Sequence, residues 1–178
     1  MKQLCFFLSI LAVGMFLGCT MPSGPQTIEL CAKGNECADP PPEGDWACNE
    51  GGPSASLTYC PEWDFFNYSV EGVVPNALAD YTLIYYPDPW PGTGLICLSE
   101  PTVSGEAGEI SMSGGVEINT HLPIASDDNF ADGAKLWLVP SDMVDCAGQV
   151  MASWADCPGI LFEKNVVESR VFYTDTEL

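Results

Sequence analysis

The sequence predicts a mainly β protein: an antiparallel β-sandwich of about immunoglobulin-like size, with a β-barrel as the alternative way of closing the sheets. Three observations carry this expectation. From Trp63 onward, short runs rich in β-branched and aromatic residues alternate with Gly, Pro, Asn and Asp, the pattern of strands and turns. Eight such runs fit within about 115 residues, a spacing suited to two packed sheets. Helical signal is confined to 76–80 and 141–154, and no repeat of solenoid or propeller period is visible.

In chain order the expected strands are 65–72, 80–86, 95–100, 109–112, 116–119, 136–139, 160–162 and 166–173. The first alternates, with Phe66, Tyr68 and Val70 on one face. In Tyr81-Thr82-Leu83-Ile84-Tyr85-Tyr86 both faces are apolar, which suits a central strand covered on each side. Ser113-Gly114-Gly115-Val116 reads as a hairpin turn or a bulge between two short strands. One helical turn at most fits 76–80. In 141–154 Ser141 is placed to cap, Asp142 and Asp145 favour the positive end of a helix dipole, and Val144, Gly148 and Met151 share a face.

The N-terminal part has another texture. Lys2 precedes the apolar run from Leu4 to Phe16, and a polar stretch follows Cys19, the layout of a secretory signal peptide over 1–18, helical in the leader. Leu17-Gly18-Cys19 resembles the lipobox of prokaryotic lipoproteins. The resemblance covers the first twenty residues and departs at Phe16, where the family usually has leucine. It implies a diacylglyceryl group on the Cys19 thiol, with Cys19 as the new N-terminus. The protein would then be exported and held on the membrane by that lipid, facing the periplasm or the cell exterior. A plain cleaved signal is the competing reading, while a spanning helix needs about 20 apolar residues, more than this run supplies. Residues 19–62 hold four further cysteines, the run Pro40-Pro41-Pro42 and the glycine-rich 50–54, without sustained periodicity. They read as an irregular Cys/Pro-rich tether between the anchor and a domain over 63–178.

Within that domain, Tyr81-Thr82-Leu83-Ile84-Tyr85-Tyr86-Pro87-Asp88-Pro89-Trp90-Pro91-Gly92, Gly133-Ala134-Lys135-Leu136-Trp137-Leu138-Val139-Pro140-Ser141 and Leu161-Phe162-Glu163 give a further likeness. The block from Phe65 to Tyr173 resembles an uncharacterised domain of exported archaeal and bacterial proteins. That resemblance implies an extracellular sandwich and brings no activity or catalytic residues with it.

Charge narrows the partners. The chain carries 25 Asp and Glu against 5 Lys and Arg, a net charge of −20. Loss of Lys2 with the leader leaves four bases against the 25 acids, a net of −21. Nucleic acid and anionic head groups share that sign and are repelled, so no nucleic-acid role is expected and membrane attachment must come from lipid. The acidity suits solubility, high salt or calcium-dependent folding alike. Apolar content of 47% is too high for disorder.

Setting aside Cys5 and Cys19, seven cysteines remain: Cys31, Cys37, Cys48, Cys60, Cys97, Cys146 and Cys157. Their density suits disulfides in an oxidising compartment. An odd count allows at most three bridges and leaves one thiol free or paired with another chain. The absence of a C-x-x-C pair and the distance of the single His121 argue against zinc or iron–sulfur ligation.

Little in the sequence supports catalysis. His121 precedes a Leu-Pro turn, no Gly-x-Ser-x-Gly elbow is present, and a lone histidine would have to serve any nucleophile. Carboxylate-dependent, glycosidase-like hydrolysis needs only two acids at a set separation, and it stays as the alternative from the enzyme class. Asp127, Asp128, Asn129 and Asp132, followed by Gly133, bring hard oxygen donors into one loop, the chemistry of Ca²⁺; an Asp/Asn/Gly turn between strands gives the same sequence. Trp90 in a proline-rich loop, with Tyr85 and Tyr86 nearby, offers a platform for carbohydrate or peptide, or else closes one end of the core. Asn67-Tyr68-Ser69 matches an N-glycosylation sequon inside an expected strand. The expectation is therefore a lipid-anchored extracytoplasmic binding or structural module without catalysis or an obligatory cofactor. A calcium-stabilised or carbohydrate-binding surface domain is its nearest variant.

Overall fold

The structure, a computed structural model, describes residues 24–33, 37, 47–62 and 65–164. The leader, Cys19, the triple proline and the expected strand 166–173 lie outside the described residues. Eleven strands are described: β1 (Gln26–Cys31), β2 (Ser54–Glu62), β3 (Phe65–Val73), β4 (Asp80–Tyr86), β5 (Ile96–Cys97), β6 (Thr102–Val103), β7 (Glu109–Glu117), β8 (Lys135–Pro140), β9 (Val144–Asp145), β10 (Val150–Met151) and β11 (Phe162–Glu163). No α-helix occurs among the described residues.

The protein is mainly β, built on open antiparallel sheets. The larger runs β11-β1-β2-β3-β7. In the smaller, β4 lies between β8 on one side and β5 and β6 on the other. Alternation decides which side chains meet. Leu57, Val70 and Met112 lie side by side on the inner face of the larger sheet, as do Tyr59 and Tyr68. Tyr81, Leu83 and Tyr85 of β4 point into the same core with Leu136 and Leu138 of β8. The opposite face of β4 and β8 supports a second core, where Ile84, Tyr86, Trp137 and Val139 are covered by Leu95, Met143, Met151, Ile160 and Phe162. β4 is therefore buried on both faces, as its sequence predicts.

Leu161 joins the two sheets. It bridges Leu138 of β8, while the next two residues pair with Leu30 and Cys31 of β1. One long side of the molecule is thus closed by backbone hydrogen bonds. The other side is bordered by β7 and by the β5–β6 edge, and among the described residues no strand spans it.

Several expectations need correction. The stretch read as a tether supplies β1 and β2, whose Leu30, Leu57 and Tyr59 are core residues. Prolines and cysteines between these strands mask an alternating pattern in each. Residues 109–112 and 116–119 do not form two strands around a turn, because β7 runs unbroken through Gly114 and Gly115. A Cβ on Gly114 would lie 2.9 Å from the Tyr68 hydroxyl, so glycine here makes room for a neighbour rather than a turn. Residues 141–154 form a 3-10 turn (Ser141–Met143) and the β9–β10 hairpin instead of a helix. The Ser141 hydroxyl bonds to Thr82 at 2.7 Å instead of capping, and Asp145 accepts the Gly148 N–H at 2.8 Å. Both side chains serve turns, the use that competes with helix for Ser and Asp. The strand expected over 95–100 shortens to β5, since the Ser99 hydroxyl takes the Leu83 N–H at 2.8 Å in place of a ladder carbonyl.

Disulfides join Cys31 to Cys48, Cys37 to Cys157 and Cys97 to Cys146. Cys60 is disulfide-bonded as well, so the leftover thiol expected from the odd count is not found among the seven. Such cross-linking marks an oxidising, extracytoplasmic environment. No helix among the described residues is long and apolar enough to cross a membrane.

Candidate functional site

The residues singled out in the sequence fall mostly at the end of the fold where β4 runs out into 87–92. Tyr85 points inward and is buried, its hydroxyl donating to Asp127 Oδ2 at 2.5 Å and accepting the Ile124 N–H at 3.1 Å. Burial, reinforced by that carboxylate, pushes its phenol far above the usual value. Tyr86 points outward but is also buried, stacked on Trp137 with ring centroids 4.0 Å apart. Of the three expected platform residues, Trp90 alone offers a surface: it is 51% exposed and meets Trp154 edge-on at 5.6 Å.

Trp154 continues inward to Trp137 and Phe162, at 6.1 and 6.3 Å, so Trp90 caps an aromatic column rooted in the second core. Sequence reasoning missed Trp137, Trp154 and Phe162 because they belong to three separate segments. Cations and carboxylates thread the column. Lys135 pairs with Asp88 and lies 5.2 Å over the Tyr86 ring, and Lys33 lies 5.9 Å over Phe162. At the base, Trp137 Nε1–H donates to the buried Glu163 at 2.6 Å. Burial raises the Glu163 carboxyl above its usual 4.5, while Lys33 pulls it down.

The loop considered for Ca²⁺ packs against the same end. Asp127 Oδ1 accepts the N–H groups of Asn129 at 2.8 Å and Asp88 at 3.1 Å, besides the Tyr85 hydroxyl on its other oxygen. Asn129 Nδ2–H donates to Asp88, whereas Asp128 and Asp132 are exposed. Asp127 is thus occupied by donors of its own chain. Among the described residues no group of three or more His, Cys, Asp or Glu is arranged to hold a metal ion. Asn67 lies on the outer face of β3, between Cys60 and Gly115.

A second surface lies on the open side. Between β7 and the 97–102 segment runs a groove of about 610 Å³ whose lining includes Tyr68, Ser99, Glu100, Ser111, Ser113 and Gly115. Burial raises the Tyr68 phenol above 10.0, a hydrogen bond from Ser99 opposes this, and the Glu100 charge adds to it. The Cys97–Cys146 disulfide stands at the rim. Only the Ser-Gly-Gly run hints at this groove in the sequence, and it reads there as a turn.

Compared with known proteins, the chain matches no family model, no curated protein and no solved structure.

Proposed function

We propose that the chain is an exported, lipid-anchored binding module of the cell envelope, without catalysis, whose body is an antiparallel sandwich. The placement of the buried acids carries this reading. The two buried carboxylates among the described residues, Asp127 and Glu163, bond to tyrosine and tryptophan donors that hold the fold together. The accessible features are an exposed tryptophan and a groove where serines, glycines and one glutamate stand beside apolar residues such as Leu98, Met112 and Val116. These favour holding a partner over the facing pair of acids that glycoside hydrolysis requires. A carbohydrate ligand is the second reading, favoured by the exposed, braced ring of Trp90.

Anchoring is tested through sulfur chemistry. Cys5 and Cys19 lie outside the described residues. A Cys19 thioether to lipid and a disulfide through Cys19 exclude each other, because both use the same sulfur. Intact mass of the protein extracted from membranes of its native host, before and after reduction, separates them. Diacylglyceryl mass on an N-terminal Cys19 is the expected result. A soluble, lipid-free protein with a fourth disulfide through Cys19 overturns the anchor.

A further inference from the structure

We propose that the open side receives an extended, lysine- or arginine-bearing segment of another protein, which adds to β7 as a sixth strand of the larger sheet. The proposal rests on the binding-module reading, but not on lipid at Cys19 or on Trp90.

The backbone of β7 supplies the first argument. Val74 N–H donates to Gly108 C=O at 2.8 Å, and these residues continue the register that pairs Val73 with Glu109. Antiparallel pairs alternate between bonded and non-bonded, so Ile110, Met112, Gly114 and Val116 exchange their hydrogen bonds with β3. Ser111, Ser113 and Gly115 then turn N–H and C=O toward the outer edge. Glu109 behaves accordingly: its C=O faces away from β3 and accepts the Gly105 N–H at 2.8 Å. Among the described residues no backbone group meets the N–H of Ser111, Ser113 or Gly115. An exposed edge of this kind is a template for a further strand.

Space and chemistry agree with that. The groove of about 610 Å³ lies along residues 111–116, where the side chains turned to the outer face are small. On the opposite side of the molecule, Leu161, Phe162 and Glu163 already do within the chain what the partner would do here, contacting one sheet and then the other.

Charge selects the partner. Glu100 lines the groove, while Glu109 and Glu117 stand at the two ends of β7. The described cations lie elsewhere: Lys135 with Asp88, Lys164 with Glu29, and Lys33 beside Phe162. A second copy of the chain would bring the same net charge of −20 to an acidic edge and be repelled. A basic extended segment is attracted, and its alternate side chains reach the glutamates.

The test uses the full oxidised chain and two ten-residue probes, one alternating Lys and Val, the other Glu and Val. The lysine peptide is expected to bind roughly tenfold or more tighter than the glutamate peptide at about 0.15 M salt. It should slow amide exchange at Ser111, Ser113 and Gly115 by about tenfold, leaving Ile110 and Met112 unchanged, because theirs are already bonded to β3. Ser113→Pro removes an outward N–H that the β3 ladder does not use and should weaken binding about tenfold. Glu100→Gln should weaken it about threefold. If Ser113→Pro fails to fold, amide protection in the wild type decides. Equal affinity for both peptides, no protection at the three amides, or full binding by a folded Ser113→Pro overturns the proposal. If cellohexaose binds the wild type but not Trp90→Ala and no peptide binds, the groove falls while the module reading stands. If neither probe binds, both fall.

Discussion

Along one side of the molecule the backbone passes from β8 to Leu161 and on to β1, so backbone hydrogen bonds join the two sheets there; along the other, β7 and the β5–β6 edge face each other across a groove. The residues differ as the geometry does. The closed side holds Phe162 and Glu163 at 1% and 3% exposure, with Lys33 beside them and disulfides from Cys31 and Cys157 nearby in the chain. Serine, glycine, threonine and Glu100 border the open side together with Tyr68, Leu98, Met112 and Val116. Apolar burial favours permanent closure, whereas an unpaired edge with small outward side chains stays available. The difference separates the part of the molecule that supplies stability from the part that can meet a partner.

Substitution at the closed side should have the largest effect. Phe162 packs on Trp137 at 5.0 Å and on Trp154, and its removal leaves a void beneath the aromatic column. Phe162→Ala is expected to cost about 3–5 kcal/mol in denaturant unfolding of the oxidised protein. A loss below about 1 kcal/mol would show that stability does not reside on this side.

On the open side Gly114→Ala comes next. The new methyl group would approach the Tyr68 hydroxyl at 2.9 Å, and Tyr68 is nearly buried between β3 and the groove. A loss of about 1–3 kcal/mol is expected. Val103→Ala, at a position 62% exposed on the same side, should stay within about 0.5 kcal/mol. If the two variants lose equally, packing around Tyr68 does not explain the glycine.

The same contrast explains what the sequence made legible. β4 and β3 could be read directly, because each carries its burial pattern in consecutive residues and pairs on both sides. β1 and β2 were obscured by the cysteines and prolines around them, and their burial comes from partners more than twenty residues away. The helix expected over 141–154 has sound local chemistry, yet Ser141 bonds to Thr82 and Cys146 to Cys97, contacts from remote strands that no local pattern reveals. For Trp90 the sequence left open whether the ring faces solvent or closes one end of the core, and it is half exposed. Tyr85 and Tyr86 were legible as residues of a strand covered on both faces, and the burial of both rings favours that reading over a ligand platform. The groove was invisible, since it consists of a free edge, and an edge is defined by the strand that does not pair with it.

The smallest of the three effects concerns Glu163, and it tests how the closed side tolerates charge. Burial raises its folded-state carboxyl above 4.5, with Lys33 offsetting part of that penalty. A carboxyl raised on folding contributes stability that is complete below its unfolded pKa and is lost as pH rises through the folded pKa, because the folded state then holds a proton the unfolded state has released. Glu163→Gln mimics the protonated form at every pH, keeps an acceptor for Trp137 Nε1–H, and leaves Lys33 as it is beside a neutral Glu163. Melting temperatures of the two proteins should therefore coincide well below pH 4.5, and the wild type should fall behind Glu163→Gln as pH rises above that value. Taking the difference cancels the titration of the other acids, which both proteins share. If instead the wild type gains on Glu163→Gln with rising pH, attraction to Lys33 outweighs burial, and the closed side is held by an ion pair rather than by apolar packing around a tolerated charge.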